Sequence, residues 1–292
     1  STYVLTASTE FVDRRPASLE VVAPEGQPVE LAEDTGLALI LDTSGSMNKR
    51  LDGVRRIDIA KASMKQLVKT GLAEGAPVSL RIFGGTGKKT GCETRQLVGL
   101  GPLDKAGTVK LINKLKIDKK TGTPIAAALR WVKRDLEDVE GDRIVVLITD
   151  GKATCKADPE EALAELRDEG IEVSLNIVGF ALDDEAIKEQ MRGWAEANGG
   201  SFYDADSADA LSEAVKVAVA APVDVFAVGD RSTPVASTTV GGEAVELEPG
   251  EYVLEVRADP PLEIEDIVLA GGERLSYELE VPGADETEEE TP

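Results

Sequence analysis

Leu37-Ala38-Leu39-Ile40-Leu41 runs without a break into Asp42-Thr43-Ser44-Gly45-Ser46, and this join of an apolar run to an oxygen-rich turn decides the fold. Five consecutive apolar residues read as a strand buried on both faces of a parallel sheet. The Asp42 carboxylate and the Ser44 and Ser46 hydroxyls then lie in the loop leaving the strand's carboxyl end. Open α/β sheets place their ligand crevice there. Oxygen-only ligands on a tight loop suit a hard cation such as Mg²⁺, which takes few protein ligands and keeps waters. Taken alone, the same residues also suit a helix N-cap or a turn.

Working outward, residues 57–68 carry apolar side chains at helical spacing, namely Ile57, Ala60, Met64, Leu67 and Val68. Residues 77–83 alternate as a strand and are followed by a glycine- and lysine-rich loop over 84–93. Helices are expected over 106–115 and from Pro124 to about Leu136, proline being well placed at a helix start. Arg143 to Thr149 is a second buried strand, ending at Asp150-Gly151. Helix 159–168, strand 173–178, helix 183–197, strand 201–204 and helix 208–221 follow. Strands alternating with helices over this length indicate a doubly wound, mostly parallel α/β sheet.

After Pro222 the texture changes. Short alternating strands over 223–228, 235–240, 251–257, 263–270 and 276–281 are punctuated by Gly241-Gly242, Pro249-Gly250, Pro260-Pro261 and Gly271-Gly272. That spacing of turn signals marks a small all-β sandwich. The expected organisation is an N-terminal segment 1–35 that supplies a strand to the β module, an α/β domain 36–221, a β module 222–284 and an acidic tail 285–292.

Two further oxygen groups fall where the sheet delivers them: Thr123 in Gly122-Thr123-Pro124, entering a helix, and Asp150 at the end of the second buried strand. The ordered set of Asp-x-Ser-x-Ser, Thr-Gly-Thr-Pro and Thr-Asp-Gly resembles the metal-ion-dependent adhesion site of von Willebrand factor type A domains. The resemblance covers about residues 36–221 and fills all five motif positions, Asp42, Ser44, Ser46, Thr123 and Asp150. It implies a Rossmann-like domain in which the hydroxyls bind the ion and the carboxylates bind directly or through water. One position is left open for an acidic residue of a partner protein. The implied ion is Mg²⁺ or Mn²⁺ ahead of Ca²⁺. Helix N-termini near Ser46 and Thr123 would add positive potential.

The two cysteines, Cys92 and Cys155, lack the spacing of a zinc or thioredoxin motif, so the residues alone allow two buried thiols or one disulfide. Bacterial members of the family resembled carry a cysteine in the loop after the second strand and another shortly after the Thr-Asp-Gly turn. That likeness implies a Cys92–Cys155 bridge, and with it a secreted, periplasmic or cell-surface location.

A net charge of −23 argues against nucleic acid and anionic membrane surfaces as partners, and no apolar run approaches the roughly 18 residues of a spanning helix. Against that background Lys49, Arg50, Arg55, Arg56, Lys88, Lys89, Lys119, Lys120, Lys152 and Lys156 cluster in the loops around the motif. They are expected to form a basic collar that steers an acidic ligand towards the ion. The leading expectation is therefore a metal-dependent protein-binding module and no enzyme. The alternatives are an adaptor that recruits clients to an ATP-driven assembly and a metal-assisted hydrolase. The absence of histidine removes the usual general base from the latter.

Overall fold

The computed structural model of the chain describes residues 15–22, 29, 31, 34–84, 91–117, 121–257 and 261–279. In chain order, strand β1 is Ala17–Val22 and β2 is Gly36–Asp42. The two-residue strands β3, Arg50–Leu51, and β4, Val54–Arg55, precede helix α1, Arg56–Gln66. Then come β5, Val78–Phe83; β6, Thr94–Val98; α2, Lys105–Lys114; and α3, Ile125–Asp135. They are followed by β7, Arg143–Thr149; α4, Pro159–Asp168; β8, Ser174–Phe180; α5, Glu185–Glu196; β9, Phe202–Ala205; and α6, Ala208–Ala218. The last strands are β10, Pro222–Ala227; β11, Ala236–Thr239; β12, Val245–Leu247; β13, Gly250–Val256; β14, Leu262–Leu269; and β15, Arg274–Glu278.

Two compact units share the chain. One is built from the described residues of 25–222 and 257–262, the other from those of 1–24, 223–256 and 263–292. The first holds a six-stranded sheet of order β6-β5-β2-β7-β8-β9, parallel except for β6. β2 pairs with β5 on one side and β7 on the other, so the chain reverses its direction of travel across the sheet there. Such switch points open a crevice at the carboxyl ends of the strands.

The apolar run of β2 is divided by the two-residue period of a strand. Leu37, Leu39 and Leu41 join a core with Ile57, Ala60 and Met64 of α1, Ile112 of α2, and Leu211 and Val215 of α6. Ala38 and Ile40 join the opposite core with Ile125 and Leu129 of α3, Leu163 of α4, and Met191 and Trp194 of α5. Helices cover both faces, which is why β2 and β7 show no polar alternation. At about 25 cal/mol per Å² of apolar surface, each fully buried leucine or isoleucine contributes about 1.5–3 kcal/mol. The helix starts are chemically marked. Asp104, Asp158, Asp184 and Ser207 each accept a backbone N–H of the turn they cap.

The second unit contains a four-stranded antiparallel sheet of order β11-β10-β13-β14 and a three-stranded sheet of order β12-β1-β15. β1 lies antiparallel to β12 and parallel to β15, with Leu19 opposite Val245 and Leu275.

Candidate metal centre

Register places the site. Asp42 of β2 lies opposite Phe83 of β5, and Leu41 lies opposite Ile148 of β7. The last residues of three parallel strands therefore end level on one rim. Thr43 folds back onto that rim, donating both its N–H and its hydroxyl to the Phe83 carbonyl at 2.9 and 2.7 Å. The close approach requires a glycine beside it. Gly84 has φ +87°, and a Cβ there would stand 2.6 Å from the Ser44 nitrogen.

Asp42 is fully buried. Its Oδ1 accepts the Ser44 N–H at 2.7 Å and its Oδ2 accepts the Thr149 hydroxyl at 2.7 Å. The Ser46 hydroxyl donates to Asp150 Oδ1 at 2.6 Å, and Ser44 Oγ lies 2.9 Å from Ser46 Oγ. A hydroxyl has one proton to give. Ser46 spends its proton on Asp150, Ser44 shares its own between Ser46 and the Asp42 carboxyl, and both hydroxyl oxygens keep lone pairs for a cation. Thr123 is buried one loop away, its N–H bonded to Thr154 Oγ1 at 2.8 Å. That loop is tied in from three sides: Gly45 N–H to the Thr121 carbonyl, Gly122 N–H to the Gly91 carbonyl, and Thr154 N–H to the Thr123 carbonyl.

Burial, and then the charge of Asp150, push the Asp42 carboxyl up from the ordinary 3.8 to about 7. Two buried carboxylates thus face a deficit of positive charge, which a divalent cation fits. Two carboxylates with three hydroxyls are also the kind of sparse oxygen set a hard ion shares with water. Among the described residues no cluster of three or more histidine, cysteine or acidic side chains competes for a metal.

One positive group of the expected collar does reach the centre, but as a buried side chain. Arg56 is a buried side chain at the start of α1, not a solvated member of a collar, and its Nη1 donates to Asp150 Oδ2 at 3.0 Å. The signal was available: Arg56 stands one turn ahead of Ala60 and two ahead of Ser63 on the buried stripe of the helix. Thr149, the second partner of Asp42, also went unread inside the Thr-Asp-Gly string. A second correction concerns Ser46, where a helix N-terminus was expected. Residues Gly45–Asn48 form a single 3₁₀ turn, and the β3–β4 hairpin intervenes before α1. α3 does begin beside Thr123, with Pro124 as its N-cap.

Lys49, Arg50, Lys152 and Lys156 are exposed on the flanking loops. Arg55 is exposed too and forms an ion pair with Asp58. Lys88, Lys89, Lys119 and Lys120 lie outside the described residues, as does the acidic tail 285–292. Cys92 and Cys155 form a disulfide with Cα atoms 6.0 Å apart. It packs against the Thr123 loop. A Cβ on Gly122 would stand 2.9 Å from Thr154 Oγ1, 3.0 Å from Cys155 Sγ and 3.5 Å from Cys92 Sγ. The bridge therefore joins the loops after β5 and β7 across the loop that carries Thr123.

Residues 37–217 match the family model of the von Willebrand factor type A domain. The YwmD protein of Bacillus subtilis is 36% identical over 203 residues, covering 66% of this chain and 88% of its own. A von Willebrand factor type A structure from Catenulispora acidiphila superposes with a TM-score of 0.53 at 15% identity, covering 91% of this chain and 76% of that one. Proximal thread matrix protein 1 of the mussel byssus, in a structure with a zinc-occupied MIDAS motif, superposes with a TM-score of 0.51 at 19% identity. That match covers 67% of this chain but only 48% of the byssus protein, so the chain spans about half its length.

Proposed function

The chain belongs to the von Willebrand factor type A domain family, and from that premise we propose that it is a divalent-metal-dependent binding module that captures an acidic residue of a partner protein. The observation that carries the reading is the hydroxyl relay from Ser44 through Ser46 to Asp150, set beside the buried Asp42 at the carboxyl ends of β2 and β7.

Ser44, Ser46 and Thr123 would offer neutral oxygens, with Asp42 and Asp150 supplying the negative charge. Mg²⁺ or Mn²⁺ suits this set better than Ca²⁺, which favours more and bidentate carboxylates. When bound, the ion supplies a Lewis-acidic attraction for an outside carboxylate. The zinc-occupied motif of the mussel protein supports a metal in this fold position. The residues of this chain do the positioning: Thr149 and the Ser44 N–H fix both oxygens of Asp42, and the disulfide holds the rim loops. The oxygens of the relay are committed to one another and to the proposed ion, which favours binding over catalysis. The disulfide supports an extracytoplasmic setting, because such bonds persist in oxidising compartments. It counts against the intracellular adaptor for the same reason.

Calorimetric titration of Mg²⁺ and Mn²⁺ into the wild type, Asp42→Ala and Asp150→Ala tests the centre. Saturable binding that disappears in both variants is the expected result. Binding that survives in both places the ion elsewhere.

A further inference from the structure

Arg56 has no place in the metal-binding motif, yet it is the one positive group the described structure brings to the centre. Its side chain is 9% exposed and that of Asp150 is 0% exposed. Among the described residues Asp150 is the only acidic partner of this guanidinium, and Arg56 Nε is buried with no hydrogen-bond partner. Its charge is therefore spent on the centre and not on a surface network. A guanidinium does not release its proton in a protein, so the positive charge is permanent.

The two oxygens of Asp150 are divided. Oδ1 takes the Ser46 proton at 2.6 Å, and Oδ2 takes Arg56 Nη1 at 3.0 Å. We infer that Arg56 is the positioning residue of the centre: it holds Oδ2 so that Asp150 meets a cation through Oδ1 alone, and its charge leaves the occupied centre one unit positive. The inference rests on the proposed divalent-metal reading of the site. Two consequences follow from charge and geometry. Asp42, Asp150 and Arg56 sum to −1, so a divalent ion brings the group to +1 and an acidic partner is attracted. Without Arg56 the occupied group is neutral. A carboxylate with one oxygen held also disfavours Ca²⁺, which uses bidentate carboxylates, relative to Mg²⁺, which does not.

The test uses the full chain and the metals alone. Mg²⁺ and Ca²⁺ affinities are measured by calorimetry for wild type, Arg56→Met and Arg56→Lys. One unit charge a few ångströms from a divalent ion, at an effective dielectric of about 20, shifts its affinity by well over tenfold. Arg56→Met is expected to bind both ions at least tenfold more tightly than wild type, with the larger gain for Ca²⁺. Arg56→Lys, which keeps the charge, is expected to stay within about threefold of wild type for Mg²⁺. A gain of affinity is not what a merely structural residue yields when it is lost. Unchanged or weaker binding by a folded Arg56→Met overturns the inference while leaving the metal centre standing. If Arg56→Met does not accumulate, Arg56→Lys decides alone, and a tenfold change in its Mg²⁺ affinity overturns the charge argument. Binding by Arg56→Met but not by wild type supports it, since Arg56 then opposes the ion outright. Binding by none of the three sinks the metal reading and this inference together.

Discussion

Removing the divalent ion while varying pH isolates the cost of Asp42. Its carboxyl is raised from 3.8 to about 7, first by burial and then by Asp150. The sign follows from where the proton sits. Between those two values the folded chain holds a proton that the unfolded chain has already released. Without metal, the Asp42 contribution to stability therefore falls as pH rises through this window and levels off above about 7. At 1.36 kcal/mol per unit the full loss is about 4 kcal/mol, of which about 3 kcal/mol falls between pH 5 and 7. A cation that needs the ionised carboxylate reverses the trend. Its apparent affinity should rise about tenfold per unit from pH 5 to 7 and then flatten, with one proton released per ion at the acid end. The assay is Mg²⁺ calorimetry at pH 5, 6, 7 and 8 in two buffers of different ionisation enthalpy. Urea unfolding in chelator, wild type against Asp42→Asn, accompanies it. The difference between the two proteins removes the titration of every other acid. Affinity that stays flat from pH 5 to 7, with heats independent of buffer, would refute the argument that Asp42 is buried at a charge deficit.

Three further outcomes are expected. Reducing the Cys92–Cys155 bridge, whose cysteines are 63 residues apart, should cost up to about 4 kcal/mol in denaturant unfolding and also weaken Mg²⁺ binding, because it packs on the Thr123 loop. Unchanged affinity in reductant would show that the bridge acts on stability alone. Gly122→Ala should weaken Mg²⁺ binding with the disulfide intact, since its Cβ meets Thr154 Oγ1 and Cys155 Sγ at 2.9 and 3.0 Å. A wild-type affinity would mean the loop absorbs the methyl group without moving Thr123. Asp135→Ala, which takes the carboxylate from the buried Arg81, should cost about 3–5 kcal/mol of stability while leaving the Mg²⁺ affinity of the folded protein unchanged. Loss of affinity in that variant would tie the rim to the opposite core.

What was legible in the sequence depended on burial. β2 and β7 are covered on both faces, so their apolar runs announce a parallel sheet without ambiguity. β6, Thr94–Val98, carries Thr, Arg and Gln because it is an edge strand with polar partners, and its pattern does not separate it from a loop. β12 is three residues long and too short for any period to show. Past Gln66 the expected helix continues only as a π-helical turn, Leu67–Gly71, closing on a glycine. Ser44, Ser46 and Asp150 are legible as rim oxygens because strand ends and loop order fix the rim. Arg56 was not, since charge in a loop segment reads as solvated until helix phase is considered. The disulfide was legible only through family likeness. Two cysteines with no metal spacing carry no pairing information of their own.

β1 also bears on biosynthesis. Its partners are distant: Leu19 pairs with Val245 and Leu275, so the three-stranded sheet cannot close until β15 has been made. At about 5–20 residues per second, the ribosome takes roughly 10–50 s to deliver β15 after β1. The α/β unit, with its local strand–helix–strand order, can be complete in that interval, whereas β1 waits with Leu19 and Val21 unpaired. A single strand left in that state is a template for wrong pairing. Closure of this sheet is thus timed by β15, and the hazard of wrong pairing lies at β1 and not at the metal rim.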